Sequence, residues 1–144
     1  MIDREFGHWL AGFIDGEGCF RVHKEKRGAY YACHFTLKVR DDDTPILEEV
    51  VLRTGIGHLK ADIVRGTSKP AMVWVVQSKA ETLKLVAFLD QFPLRAKKSR
   101  DYAIWREAVA FWNVQEKGNR WHGPRDWSQM IAYKEAIENA RAYR

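Results

Sequence analysis

The 144 residues, 46% hydrophobic and 30% charged, suit one ordinary domain (1–144) and exclude a disordered chain. Twenty-four Lys and Arg against nineteen Asp and Glu give a formal charge of +5, a balance that suits a polyanion partner as readily as an ordinary soluble protein. No apolar run approaches the roughly 18 residues of a membrane span, the first residues carry no basic stretch leading into an apolar one, and Cys19 and Cys33 match neither a disulfide framework nor a zinc spacing. The expectation is an intracellular protein of a reducing compartment, in the cytoplasm or in the organelle that encodes it, with no membrane contact.

Asp3 is placed to cap a first helix running to about Ile14, stopped by Gly16 and Gly18. The period then changes to two. Tyr31, Cys33, Phe35, Leu37 and Val39 alternate with Tyr30, His34, Thr36, Lys38 and Arg40, the pattern of a half-buried strand. Cys19 to Lys26 pairs with it as a hairpin, with Phe20 and Val22 inward and Arg21 and His23 outward. In Asp41-Asp42-Asp43-Thr44-Pro45 a Thr cap precedes a Pro at the first helical position, and acids gather at the positive end of the dipole. Ile46, Leu47, Val50 and Val51 continue at helical spacing to Gly55 and Gly57. A second hairpin spans about 57–65 and 71–77, with His58, Lys60 and Asp62 outward; Trp74 alternates onto the polar side, against DNA or the sheet edge. A helix over about 79–90 ends at Pro93, and a longer one over about 96–116 carries Tyr102, Trp105, Val109 and Trp112 on one stripe. After the loop Gly118–Pro124, a last helix covers about 127–143.

The order is αββαββα with two further helices, an α+β fold in which a four-stranded antiparallel sheet has helices on one face. The other face is polar and basic. A two-stranded ribbon fits the DNA major groove, where base edges carry a full donor and acceptor code. Basic side chains also concentrate: residues 21–40 hold six against one acid, and residues 95–106 hold five against one.

Leu10-Ala11-Gly12-Phe13-Ile14-Asp15-Gly16-Glu17-Gly18 resembles the signature of the LAGLIDADG homing endonucleases, with Phe13 for Leu, Gly16 for Ala and Glu17 for the second Asp. The element order and the segment Phe92–Lys98 extend the resemblance over about residues 5–116, leaving 117–144 as a C-terminal extension. Independently of the family, Gly12 and Gly16 share one helical face, and with Ala11 they leave a nearly bare surface for a second helix. A carboxylate at a helix C-terminus opposes the dipole. Glu17 therefore calls for a divalent cation, and Mg²⁺ takes a few carboxylate oxygens plus water and phosphate oxygens.

The resemblance implies a sequence-specific double-strand DNA endonuclease, intron-encoded or free-standing, acting on a long pseudo-palindromic site. One motif per chain implies a homodimer, paired through Ala11, Gly12 and Asp15 on a twofold axis. It makes Glu17 and the Gly16 carbonyl the metal ligands, with Mg²⁺, or Mn²⁺ or Ca²⁺ in its place. Lys98, with Lys97 as the alternative register, is the active-site lysine. Asp41 falls where relatives place a water-positioning polar residue, although it equally begins the next helix. The DNA-reading residues would be Arg21, His23, His34, Thr36, Lys38, Arg40, His58, Lys60 and Asp62. An RNA maturase and a non-cleaving DNA-binding regulator are the alternatives; Glu17 together with Lys98 favours the nuclease. Trp121–Arg125, an aromatic and basic loop, either touches phosphate or packs. Zinc at His23, His34 and Cys19 is disfavoured, since it wants four ligands.

Overall fold

The computed structural model describes residues 2–25, 30–62, 66–67, 69–115 and 126–142. Helix α1 (Arg4–Glu17) is followed by strands β1 (Gly18–Lys24) and β2 (Tyr31–Arg40), a 3₁₀ turn at Asp41–Asp43, and α2 (Thr44–Thr54). Strands β3 (His58–Asp62) and β4 (Ala71–Val76) come next, then α3 (Lys79–Gln91), α4 (Lys98–Val114) and α5 (Ser128–Arg141). The sheet is antiparallel in the order β1-β2-β4-β3. The αββαββα order with added helices, read from hydrophobic period, is the order observed. Among the described residues, no helix is long and apolar enough to cross a membrane.

The Asp3 carboxylate accepts from the Phe6 amide at 2.9 Å and caps α1. Phe6, Leu10, Ala11 and Ile14 form its buried stripe. The helix does not stop at Ile14 but passes through Gly16 to Glu17, and Gly18 closes it by donating its amide to the Ile14 carbonyl. A Cβ at Gly18 would lie 2.8 Å from both that carbonyl oxygen and the Phe35 ring, so only glycine permits the direct switch from helix to strand. Thr44 is not the cap of α2: its hydroxyl donates to the Asp41 carbonyl at 2.6 Å, and Asp43 occupies the N-cap without a side-chain bond.

The core lies between the sheet and the helices. Phe20 stacks within 5.0 Å of Phe35 and 5.1 Å of Trp105, and Phe35 within 5.1 Å of Trp74. Trp74 corrects the sequence expectation. It is fully buried, and its indole Nε1 donates to the Ile56 carbonyl at 2.9 Å. Ala71-Met72-Val73-Trp74-Val75-Val76 is apolar at every position, so alternation alone leaves the inner face undetermined. Trp74→Phe is expected to destabilise the fold by about 1–3 kcal/mol, because it strands a buried acceptor. The urea midpoint should fall with the slope unchanged.

Helix α5 packs along α4 and β1, with Met130 and Ile137 buried. Its Arg141 guanidinium donates to the Phe20 carbonyl and meets the buried Asp101 carboxylate at 3.4 Å. This covers β1, which lies at one edge of the sheet.

Candidate functional site

Two surfaces meet at the end of α1. The first is the outer face of the sheet. Strand register aligns Cys19, Thr36, Val75 and His58 in one row across four strands, Lys38, Val73 and Lys60 in the next but one, and Arg40, Ala71 and Asp62 beyond. Arg21 and His34 pair at the opposite end. A groove of about 710 Å³ runs over this face, lined by Arg21, His23, His34, Thr36, Lys38, His58, Lys60 and Asp62. All of the predicted reading residues except Arg40 therefore share one concavity. Sequence reasoning missed Val73, Val75 and Gln77 of the same lining, because β4 carries no polar alternation.

Charge on this face is arranged locally. Lys38 Nζ lies 2.5 Å from Asp62 Oδ2, and that hydrogen bond holds the Asp62 carboxyl below its usual range. His23 and His34 stack with ring centroids 5.0 Å apart. Burial, helped by the neighbouring His23, lowers the His34 pKa, against the opposing pull of Glu25 at 3.4 Å. Beneath the sheet, the Trp105 indole N–H donates to the carbonyls of both Arg21 and His34, each at 3.1 Å.

The second surface is a cleft of about 770 Å³ beside the first, lined by Phe13, Glu17, Lys38, Val39, Arg40, Asp43, Lys69, Pro70 and Ala71. Glu17 is exposed, and its carboxylate makes no hydrogen bond or ion pair with any described residue. Three cations, Lys38, Arg40 and Lys69, line the same cleft. Of the aspartates that follow β2, Asp43 lines the cleft; Asp41 does not, and its amide donates to the Pro70 carbonyl at 3.2 Å. Lys98, at the first position of α4, donates its ammonium to the Gly18 carbonyl at 2.5 Å, one residue from Glu17. Lys97 is exposed at the helix N-cap.

Above this cleft, α1 presents an open face. Trp9 (42% exposed), Gly12, Phe13 and Gly16 follow one another at helical spacing. A Cβ at Gly12 or Gly16 would meet nothing within 4 Å. Two residues grouped with these glycines from the sequence point elsewhere. Ala11 is 3% exposed and packs into the core of its own chain. The Asp15 carboxylate accepts from the Arg95 amide at 2.7 Å and the Ala96 amide at 3.1 Å. Trp9 and Phe13, with rings 5.3 Å apart, carry the apolar area of the open face instead.

Among the described residues there is no group of three or more His, Cys, Asp and Glu side chains able to hold a metal on their own. The oxygen donors at the base of α1 nonetheless suit a hard divalent cation. Glu17 supplies a carboxylate bonded to no described residue, and the last carbonyls of a helix, Gly16 among them, have no partner within it. Further oxygens would have to come from phosphate, water or a second copy of the site. Trp121–Arg125, the aromatic and basic loop, lies outside the described residues.

Residues 10–109 match the family model of the LAGLIDADG endonucleases. A relative named as the probable intron-encoded endonuclease Cox1-I1b of Schizosaccharomyces pombe is 30% identical over 72% of this chain and 27% of its own length. The probable intron-encoded endonuclease aI3 of Dictyostelium citrinum is 22% identical over 78% of this chain and 48% of its own. The chain thus spans between about a quarter and a half of these relatives. Among solved structures, the meganuclease I-AabMI bound to uncleaved DNA is 28% identical, with a TM-score of 0.63, over 73% of this chain and 36% of that one. I-SmaMI bound to its uncleaved DNA target in the presence of calcium shares the fold at 24% identity and a TM-score of 0.71, over 95% of this chain and 48% of that one.

Proposed function

Because the chain belongs to the LAGLIDADG endonuclease family, we propose that it is a metal-dependent, site-specific double-strand DNA endonuclease that works as a homodimer. The observation that carries this reading is the exposed Glu17 carboxylate, bonded to no described residue, at the end of α1 and one residue from the Gly18 carbonyl that the Lys98 ammonium holds. A non-cleaving regulator or an RNA maturase has no need of an unpaired acid at the unfavourable end of a helix dipole.

Two copies joined through Trp9, Gly12, Phe13 and Gly16 would bring two Glu17 carboxylates to the axis, one for each DNA strand. Glu17 and the Gly16 carbonyl would hold the cation, Mg²⁺ in the cell, which when bound polarises the phosphate and lowers the pKa of water. Arg40 and Lys69 neutralise the backbone that descends into the cleft, while Lys38, paired with Asp62, faces the reading groove. Lys98 offsets charge developing on the scissile phosphate. Asp43 replaces Asp41 as the acid able to orient a water in the cleft. The intron-encoded status of the relatives supports a gene of the same kind, acting in the compartment where it is expressed.

The test is selection of cleaved sites from a random palindromic DNA library with Mg²⁺, set beside binding to duplex DNA and structured RNA. Cutting of both strands at a pseudo-palindrome supports the reading. Tight binding without nicking under any divalent metal, or preference for RNA, overturns it.

Sheet register sharpens one prediction about that site. Lys38 lies four residues along β2 from His34, the partner of Arg21, hence about 13 Å at a rise of about 3.3 Å per residue. DNA rises about 3.4 Å per base pair. Arg21→Ala and Lys38→Ala should each relax preference by about 1–3 kcal/mol per contact, at positions about four base pairs apart and mirrored in both half-sites. Cleavage profiles over all single-base variants of the selected site would show this. Uniform weakening at every position would remove the groove as the reading surface.

A further inference from the structure

We infer that Asp15 is a positioning residue for Lys98, a role that rests on the nuclease reading above. Asp15 sits inside the signature segment, yet it faces neither the open side of α1 nor the Glu17 cleft. Both of its oxygens lie within hydrogen-bond distance of main-chain amides 80 and 81 residues away. Those amides, of Arg95 and Ala96, belong to the connection that leaves α3 at Phe92 and enters α4 at Lys98.

The geometry is reciprocal. The side chain of Asp15 holds the backbone at 95 and 96, and the side chain of Lys98 holds the backbone at Gly18. Two tethers therefore run in opposite senses between the same two short segments, 15–18 and 95–98. A carboxylate accepting from an amide makes a charge-assisted bond, stronger than a neutral one. A lysine ammonium on a flexible stem is otherwise free to move. The Asp15 tether fixes the base of that stem, so the ammonium stays at the carbonyl next to Glu17. Phe92 and Leu94 hold the start of the connection in the core, whereas Arg95, Ala96 and Lys97 are exposed, so Asp15 holds the stretch that leads directly into Lys98.

A merely structural role would cost stability and nothing specific to Lys98. The distinguishing experiment is a double-mutant cycle on single-turnover cleavage of the selected target, with binding measured in Ca²⁺. Asp15→Ala should slow cleavage about 10–100-fold, the range seen when the support of a site residue is removed, with target affinity unchanged. Asp15→Asn, which keeps one acceptor oxygen, should fall between. Asp15→Ala combined with Lys98→Met should be no slower than Lys98→Met alone, because the two act as one unit. Multiplicative losses, or affinity falling with rate, overturn the proposal. A readout independent of activity is the Lys98 Cε resonance, assigned by its absence in Lys98→Met. It should move in both Asp15 variants while the other lysines stay in place; a stationary resonance overturns the tether. Wild-type protein that binds DNA and never cuts it sinks the nuclease reading instead, and the resonance still judges the tether.

Discussion

Glu17→Gln is expected to lower DNA cleavage by more than about 10³-fold, about 4 kcal/mol of transition-state stabilisation, while target affinity stays within about threefold. The substitution keeps size and hydrogen bonding and removes the charge that would hold a divalent cation. Because the Glu17 carboxylate bonds to no described residue, neutralising it breaks no contact among them, and the fold should be untouched. The reading residues lie on the neighbouring groove, supported from behind by the core, so they should engage DNA as before. Gel-shift titration and single-turnover cleavage on the same target separate the two effects. A mutant that cuts within tenfold of wild type would remove Glu17 from the reaction. A mutant that loses binding and cutting together would make it a recognition residue.

Gly12→Leu should have opposite effects on the protomer and on the assembly. Within one chain the site is open, since a Cβ there has no atom within 4 Å among the described residues outside its own turn of helix. Leucine is a far better helix former than glycine, so the isolated protomer should gain about 0.5–1 kcal/mol. At a twofold axis the same side chain enters the contact twice. Overpacking costs about 1–3 kcal/mol for each copy, or about 2–6 kcal/mol in all, which is about 30-fold to 10⁴-fold in the dimer Kd. Thermal unfolding of dilute protein and sedimentation across concentration test both halves. An intact dimer would move the interface off this face. A destabilised monomer would mean that Gly12 packs within its own chain.

The features legible in the sequence were the local ones. Period two in β2 and the helical stripe in α4 each sit within one segment, and the reading groove follows from β1, β2 and β3 alternating polar with apolar. Where a segment is uniform, the pattern is silent. β4 is apolar on both faces, so alternation cannot say that Trp74 faces inward, and α1 has small residues on both faces, so spacing alone does not separate the inward Ala11 from the open Gly12. The bonds of Asp15 were invisible for another reason. They end on main-chain amides 80 residues away, and no side-chain pattern marks an amide. The Asp43 and Lys69 lining of the cleft was likewise a tertiary fact, created where the end of β2 meets the start of β4.

The Trp105 indole grips the carbonyls of Arg21 and His34 from the core side, while their side chains leave on the other. The backbone of the reading hairpin is thus fixed without reference to which side chains it carries. On the proposed function, a change at Arg21 or Lys38, both exposed, would alter what is read and leave the support alone. Such positions can be exchanged one at a time at little cost to folding, since surface substitutions usually stay within about 0.5 kcal/mol. A mobile genetic element in this form would follow a drifting host sequence by single-residue steps, and a library built on these strands would spend its diversity on recognition rather than on repairing the scaffold.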